Sequence, residues 1–221
     1  MGNTLPELRT TLLAGLRTLQ LDLSEQLVEH LLEYQALITK WNQVYNLTAV
    51  RDASEMMTHH LLDSLAAIPA LQHHLRSDGL EQSSRLLDVG SGAGLPGVVI
   101  AICCPAVAVT CVDTVAKKAA FIKQAALALR LPNLTGLHTR VEAITQRFDV
   151  VCSRAFASLA DFTQLSGKAL APEGLWMAMK GKYPSDEIAK LPANINMFHV
   201  EQLTVPGLNA ERCIVWMRPV S

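Results

Sequence analysis

Leu86-Leu87-Asp88-Val89-Gly90-Ser91-Gly92-Ala93-Gly94-Leu95-Pro96-Gly97 is the stretch that decides the fold. With Arg85 before it, it reads as a buried strand, Arg85–Val89, that ends in a glycine loop and enters a helix. Glycine lets the backbone turn tightly and lets a ligand touch the main chain. The free amides at the start of the helix favour a carboxylate or a phosphate. Pro96 suits the first helical turn, where no donor is lost. Two ligand readings compete. Gly92, Gly94 and Gly97 satisfy the dinucleotide spacing G-x-G-x-x-G. Gly90, Gly92 and Gly94 satisfy G-x-G-x-G behind Asp88, a pattern of S-adenosylmethionine sites. An acid at the strand end suits that ligand's ammonium better than a pyrophosphate, so Asp88 favours S-adenosylmethionine. A plainer role for Asp88 is to brace the loop by accepting backbone hydrogen bonds.

Downstream, strands and helices alternate. Val107–Val112 is a second strand, followed by Asp113. That acid lies 25 residues after Asp88, where a βαβ unit reaches a ribose hydroxyl pair. Both ligand classes use such an acid. Val115–Leu129 reads as a helix, Leu134–His138 as a third strand and Phe148–Ser153 as a fourth. Glu142 follows the third strand at the same rim, either facing adenine or as a solvated loop acid. Ser158–Leu170 is helical and Leu175–Met179 is a fifth strand. Phe198–Val205 and Cys213–Met217 are two more candidates, joined through Pro206-Gly207. Strands spaced by helices imply a parallel sheet covered on both faces.

Upstream, the chain reads as helices. Thr4 and Pro6 start one with Leu8, Leu12, Leu16 and Leu19 on one stripe. Ser24 caps a second with Leu27, Leu31, Tyr34, Ile38 and Trp41. Ser54 caps a third with Met57, Leu61, Leu65 and Ile68. Residues 76–84 are polar and turn-rich. The expected organisation is a helical extension over residues 1–75 and one compact sheet domain over 76–221.

The chain has 221 residues and a net charge of −1. That disfavours a protein that coats DNA or a membrane by bulk positive charge. The charge is unevenly spread. Residues 1–80 carry 5 basic and 9 acidic side chains, whereas residues 117–190 carry 11 basic and 6 acidic ones. The asymmetry is compatible with an anionic partner or with plain surface scatter. Cys103, Cys104, Cys111, Cys152 and Cys213 are odd in number and apolar in setting, without a C-x-x-C. They predict buried free thiols in a reducing cytoplasm and no metal site. Leu95–Val112 carries no charge, but Pro96, Gly97 and Pro105 break it, so no membrane helix is expected. The opening Met1-Gly2-Asn3-Thr4-Leu5-Pro6 lacks the pattern of a secretory leader.

The residues also carry a family resemblance. Tyr45-Asn46-Leu47-Thr48, His60-Leu61-Leu62-Asp63-Ser64 and the glycine loop resemble the RsmG (GidB) family. So do Asp113 with Lys117-Lys118 and Phe121, Arg140-Val141-Glu142, Ser153-Arg154-Ala155-Phe156-Ala157-Ser158, and Lys180-Gly181. These stretches run from about residue 45 to 190. The resemblance implies a class I methyltransferase with a Rossmann-like, seven-stranded, mostly parallel sheet and an N-terminal helical extension. It implies methylation of N7 of guanine 527, in the 530 loop of 16S rRNA, with S-adenosylmethionine as donor. It places cofactor contacts on Gly90, Leu95, Val141, Glu142 and Arg154, beside Asp88, Gly92, Gly94 and Asp113 from the motif. The expected partner is 16S rRNA or the small ribosomal subunit, the expected state a monomer, and no DNA or membrane partner is expected. His59 stands where the family often has arginine.

That chemistry suits the fourth-strand loop. Guanine N7 carries an in-plane lone pair and no proton, so attack needs alignment and water exclusion rather than a base. Ser153-Arg154-Ala155-Phe156 differs from the N/D-P-P-Y of amino methyltransferases. Cys152 follows apolar Val150 and Val151 and reads as a core thiol rather than a nucleophile. No catalytic residue is therefore assigned beyond positioning candidates Arg154 and Phe156. Arg154 suits the methionine carboxylate or an RNA phosphate, and Phe156 suits stacking on a base or core packing. Lys117, Lys118, Lys180 and Lys182 are candidate phosphate contacts. His60 and Asp63 are read as a mutual hydrogen bond or a clamp between helix and sheet, and Tyr45 and Asn46 as a helix end or an RNA contact. Three other functions compete: a S-adenosylmethionine-dependent methyltransferase acting on a small molecule or protein, with an enclosed acidic or apolar pocket; a nicotinamide-dependent oxidoreductase; and a cofactor-binding module without catalysis that acts as a ribosome-assembly partner.

Overall fold

The structure is a computed structural model that describes residues 4–220. The reading of Met1–Asn3 lies outside them. Helix α1 (Leu5–Thr18) begins where Thr4 predicts, and the Thr4 amide donates to the Glu7 carboxylate at 2.7 Å. Helix α2 (Glu25–Tyr45) is capped by Ser24, whose hydroxyl accepts from the Leu27 amide. The third helix differs from expectation. Asp52, not Ser54, caps it by accepting from the Ser54 and Glu55 amides at 2.9 and 3.1 Å. It then runs as α3 (Ala53–Met56), a π-helical turn (Met57–Leu62), α4 (Asp63–Leu65) and α5 (Ile68–Ser77). Single π-turns of this kind concentrate at functional sites. The spacing of Met57, Leu61 and Leu65 suits a regular helix equally well, so the sequence gives no sign of the widening.

The sheet has seven strands: β1 (Arg85–Val89), β2 (Ala108–Asp113), β3 (Leu134–His138), β4 (Phe148–Arg154), β5 (Leu170–Lys180), β6 (Ile195–Leu203) and β7 (Arg212–Pro219). Their order is β3-β2-β1-β4-β5-β7-β6. The first five are parallel, and β7 runs antiparallel between β5 and β6. Helices α6 (Gly97–Cys103), α7 (Ala116–Ala128), α8 (Leu159–Ser166) and α9 (Ser185–Ile188) cover it. The strand order reverses at β1 and β4, and ligands of open α/β sheets bind at the carboxyl ends of strands beside such a switch point.

Strand alternation divides the core. Leu86, Cys111, Val150 and Met177 face the helical segment, in one cluster with Leu12, Leu31, Tyr34, Met57 and Phe121. Leu87, Val89, Val151 and Trp176 face the other side, with Phe162 and Met217. The N-terminal helices therefore share a core with the sheet. Each fully buried Leu, Val, Ile or Phe there contributes about 1.5–3 kcal/mol. All five cysteines are free and buried. No helix among the described residues is long and apolar enough to cross a membrane.

Candidate active site

The glycine loop opens at the end of β1. Gly90 and Gly92 have φ of +67° and +60°, a left-handed conformation that favours glycine. Asp113, at the end of β2, locks the loop. Its Oδ2 accepts from the Gly92 amide at 2.9 Å and its Oδ1 from the Val115 amide at 2.8 Å. From the other side, Tyr34 of α2 donates its buried hydroxyl to the Ala93 carbonyl at 2.6 Å. Burial pushes that phenol far above the usual tyrosine range.

Two adjoining lobes meet over the loop. The larger, about 520 Å³, is lined by Gly90–Ala93, Leu95, Thr48, His59, His60, Asp63, Arg154, Lys180 and Arg212. The smaller, about 340 Å³, is lined by Gly90, Asp113, Lys118, Arg140, Val141, Glu142, Ala155 and Phe156. Gly90 and Ala155 belong to both. Ala155 takes φ of +53°, a strained value for a residue with a Cβ. The half-exposed Phe156 packs so closely on Gly90 that a Cβ there would stand 2.5 Å from its ring.

Among the sequence-predicted cofactor residues, Gly90, Gly92, Leu95, Asp113, Val141, Glu142 and Arg154 line one lobe or the other. Two do not. Gly94 packs inward, where a Cβ would meet Val98 at 2.4 Å and the Tyr34 hydroxyl at 3.3 Å. Asp88 also lines neither lobe. Strand alternation turns it toward α6, where it is fully buried. Its Oδ2 accepts from the Gly97 amide at 2.9 Å, so the carboxyl braces the loop. Gly97 permits this, since a Cβ would meet Cys111 Sγ at 2.3 Å and Asp88 Oδ2 at 2.8 Å. Burial raises the Asp88 carboxyl to about 7, opposed by the Gly97 amide. Gly94 and Gly97 being packing glycines, the dinucleotide spacing is not the one that faces the cleft.

The basic candidates also separate. Lys180 lines the larger lobe, bridged to Glu187 at 2.8 Å and donating to the Ala157 carbonyl at 2.8 Å. Lys118 lines the smaller lobe, 4.0 Å from Asp113. Lys117 and Lys182 are exposed and line neither. Cys152 is fully buried, and burial drives its thiol far up, which removes it as a nucleophile.

The helical segment supplies one wall. His60 and Asp63 do not bond each other. His60 Nε2 pairs with Thr48 Oγ1 at 2.7 Å, and burial lowers its pKa. Asp63 clamps helix to sheet: its two oxygens accept from Arg154 at 2.8 Å and Arg212 at 2.7 Å. Asn46 ends α2 in the left-handed conformation, φ +49°, while Tyr45 packs on Trp41. The residue that orders the turn after them is Asn42, which donates to the Val50 carbonyl and accepts from the Thr48 amide. Asn42, Thr48 and Arg212 were missed as cleft-building residues. The stretches around Thr48 and Asp63 were visible as motifs, but their partner Arg212 lies 149 positions from Asp63.

The GidB family model, described as rRNA small subunit methyltransferase G, matches residues 27–215. The chain belongs to this family. A GidB relative from Polaromonas naphthalenivorans (strain CJ2), named ribosomal RNA small subunit methyltransferase G, is 76% identical over the full length of both chains. A relative of the same name from Acidovorax sp. (strain JS42) is 65% identical over 94% of this chain and 93% of its own. The fold resembles magnesium protoporphyrin IX methyltransferase from Synechocystis PCC 6803, solved with bound S-adenosylmethionine: TM-score 0.59, 10% identity, 84% of this chain and 97% of that one. It also resembles TrmN from Thermus thermophilus, at TM-score 0.55 and 18% identity over 74% and 53%. The GidB sheet is thus a class I methyltransferase sheet, and the chain is a methyltransferase that uses S-adenosylmethionine. The cradle fits that cofactor. A Cβ on Gly92 would meet only the Gly90 carbonyl, 4.0 Å away, so this glycine has an open side.

Proposed function

We propose that this GidB-family methyltransferase modifies N7 of a guanine in 16S rRNA, at the 530-loop position that its family resemblance implies. The single observation that carries the RNA reading is the charge of the larger lobe. Arg154, Lys180 and Arg212 line it against one lining acid, Asp63. The smaller lobe balances Lys118 and Arg140 against Asp113 and Glu142. An enclosed acidic pocket for a small molecule is not what this lining offers. An open basic lobe suits a phosphate backbone instead.

S-adenosylmethionine supplies the electrophilic methyl group when bound. Gly90 and Gly92 would present main chain to its methionyl part, Asp113 would present a carboxylate to ribose hydroxyls, and Val141 and Glu142 would border the base. Arg154 would take the methionyl carboxylate from the larger lobe. The target base enters over Ala155, where the two lobes meet, with Phe156 beside it. N7 needs no proton removed, and the lobe provides no strong base: burial lowers the His60 pKa, which weakens it as a base, and its Nε2 is paired with Thr48. The role left to these residues would be to hold the nitrogen and the methyl carbon in line and to keep water out.

Radiolabelled methyl transfer to deproteinised 16S rRNA and to intact small subunits tests this. Label on one guanine of the 530 loop, as N7-methylguanine, is expected. No transfer to either substrate, or label on another atom, would overturn the proposal.

A further inference from the structure

Asp63 comes from the helical segment, yet its carboxylate lies between two arginines at strand ends. Oδ2 accepts from Arg154 Nη1 at 2.8 Å and Oδ1 from Arg212 Nε at 2.7 Å. The Asp63 side chain is only 3% exposed, against 20% and 24% for the arginines. Arg154 Nη1 also donates to the His59 carbonyl, at 3.0 Å, from the π-helical turn. A guanidinium has five N–H donors in a rigid fork. Each arginine therefore keeps donors beyond those that Asp63 uses, and both line the larger lobe. One aspartate needs one cation for neutrality. Two arginines leave this trio with a net positive charge, which a purely structural clamp does not require.

We infer that Asp63 is a positioning residue for methyl transfer. It aims Arg154 at the methionyl carboxylate of the cofactor and Arg212 at an RNA phosphate beside the target base. The inference rests on the proposed function. The physical gain is preorganisation: two long, rotamer-rich side chains are ordered before the ligands arrive, so binding does not bear that cost. Positioning and simple charge compensation predict opposite signs. Neutralising Asp63 makes the lobe more positive, so a mere counterion would, on removal, let RNA bind more tightly. A positioning residue, on removal, loosens it.

The test uses the full chain with Asp63→Asn and Arg212→Gln, singly and together. The readouts are the S-adenosylmethionine Kd without RNA, KM for small subunits in methyl transfer, and Tm. Asp63→Asn is expected to raise both the cofactor Kd and the RNA KM about tenfold. Arg212→Gln is expected to raise only the RNA KM, and the double variant to be no worse in that constant than Asp63→Asn alone. A lower RNA KM in Asp63→Asn, or a lower Tm with both constants unmoved, would overturn the inference. If Asp63→Asn does not fold, Arg212→Lys decides: it keeps the charge and loses the fork, and an unchanged RNA KM refutes positioning. Failure of the wild-type chain to methylate rRNA would instead sink the proposed function, while the cofactor Kd still tests the Asp63–Arg154 half.

Discussion

The two lobes of the cleft share Gly90 and Ala155 but are built on different logic. The smaller one is built without the N-terminal helices, from the ends of β1 and β2, the turns after β3 and β4, Lys118 of α7 and Leu165 of α8. Its polar groups are local: Asp113 bonds amides of the adjoining loop and of its own strand end. The larger lobe is assembled from distant parts. It joins the turn after α2, the π-helical turn, β4, β5 and β7, and its charges meet across the sheet at Asp63. A cofactor common to many methyltransferases can be held by a repeated strand-loop-helix unit. On the proposed function, the RNA side of the cleft is not built by the sheet alone, because residues of the helical segment line one wall of the larger lobe.

The largest expected effect lies in the smaller lobe. Asp113→Ala removes the acceptor of two backbone amides and, on the proposed function, the ribose partner together. The S-adenosylmethionine Kd should rise about a hundredfold by calorimetry, with RNA binding in the absence of cofactor little changed. Equal losses of both ligands would erase the division between lobes. Lys180→Ala is the converse. The RNA KM should rise about tenfold and its salt dependence should flatten by about one phosphate contact, with the cofactor Kd within about twofold. A loss of cofactor affinity instead would merge the lobes.

The smallest effect sharpens the boundary behind the loop. Asp88 has a folded pKa of about 7, raised by burial, against about 3.9 for an unperturbed aspartate. The folded state therefore holds a proton that the unfolded chain releases. The stabilisation is fully present below about pH 4 and is lost as pH rises through about 7. Asp88→Asn keeps an acceptor for the Gly97 amide and removes this titration. Its Tm should match the wild type near pH 4 and exceed it by a few degrees at pH 8, with the cofactor Kd within about threefold. A fall of cofactor affinity by orders of magnitude would return Asp88 to the ligand.

The sheet was legible because strand and helix alternate with clear apolar runs. β1 and β3 fall on their predicted residues, and the others differ chiefly at their ends. The smaller lobe was legible too, since Gly90, Gly92, Asp113, Val141 and Glu142 follow strand ends in order. The sequence places Asp88 at the strand end but does not show its side: the parity that turns it under α6 is fixed by packing against Cys111 and Gly97. Nor does it show that Gly94, with φ of +86°, packs against Val98 and Tyr34. The larger lobe was least legible. Nothing local in Asp63 announces two arginines 91 and 149 positions away. The mildly basic stretch over residues 117–190 pointed to Lys180 but also to Lys117 and Lys182, which stand outside the cleft.

Amide hydrogen exchange, with and without S-adenosylhomocysteine, tests the division of the cleft most directly. Slower exchange is expected in residues 90–92, 113–115 and 141–143, with little change around residues 203–213 until an rRNA fragment is added. Protection confined to residues 203–213 and absent from 113–115 and 141–143 would contradict it.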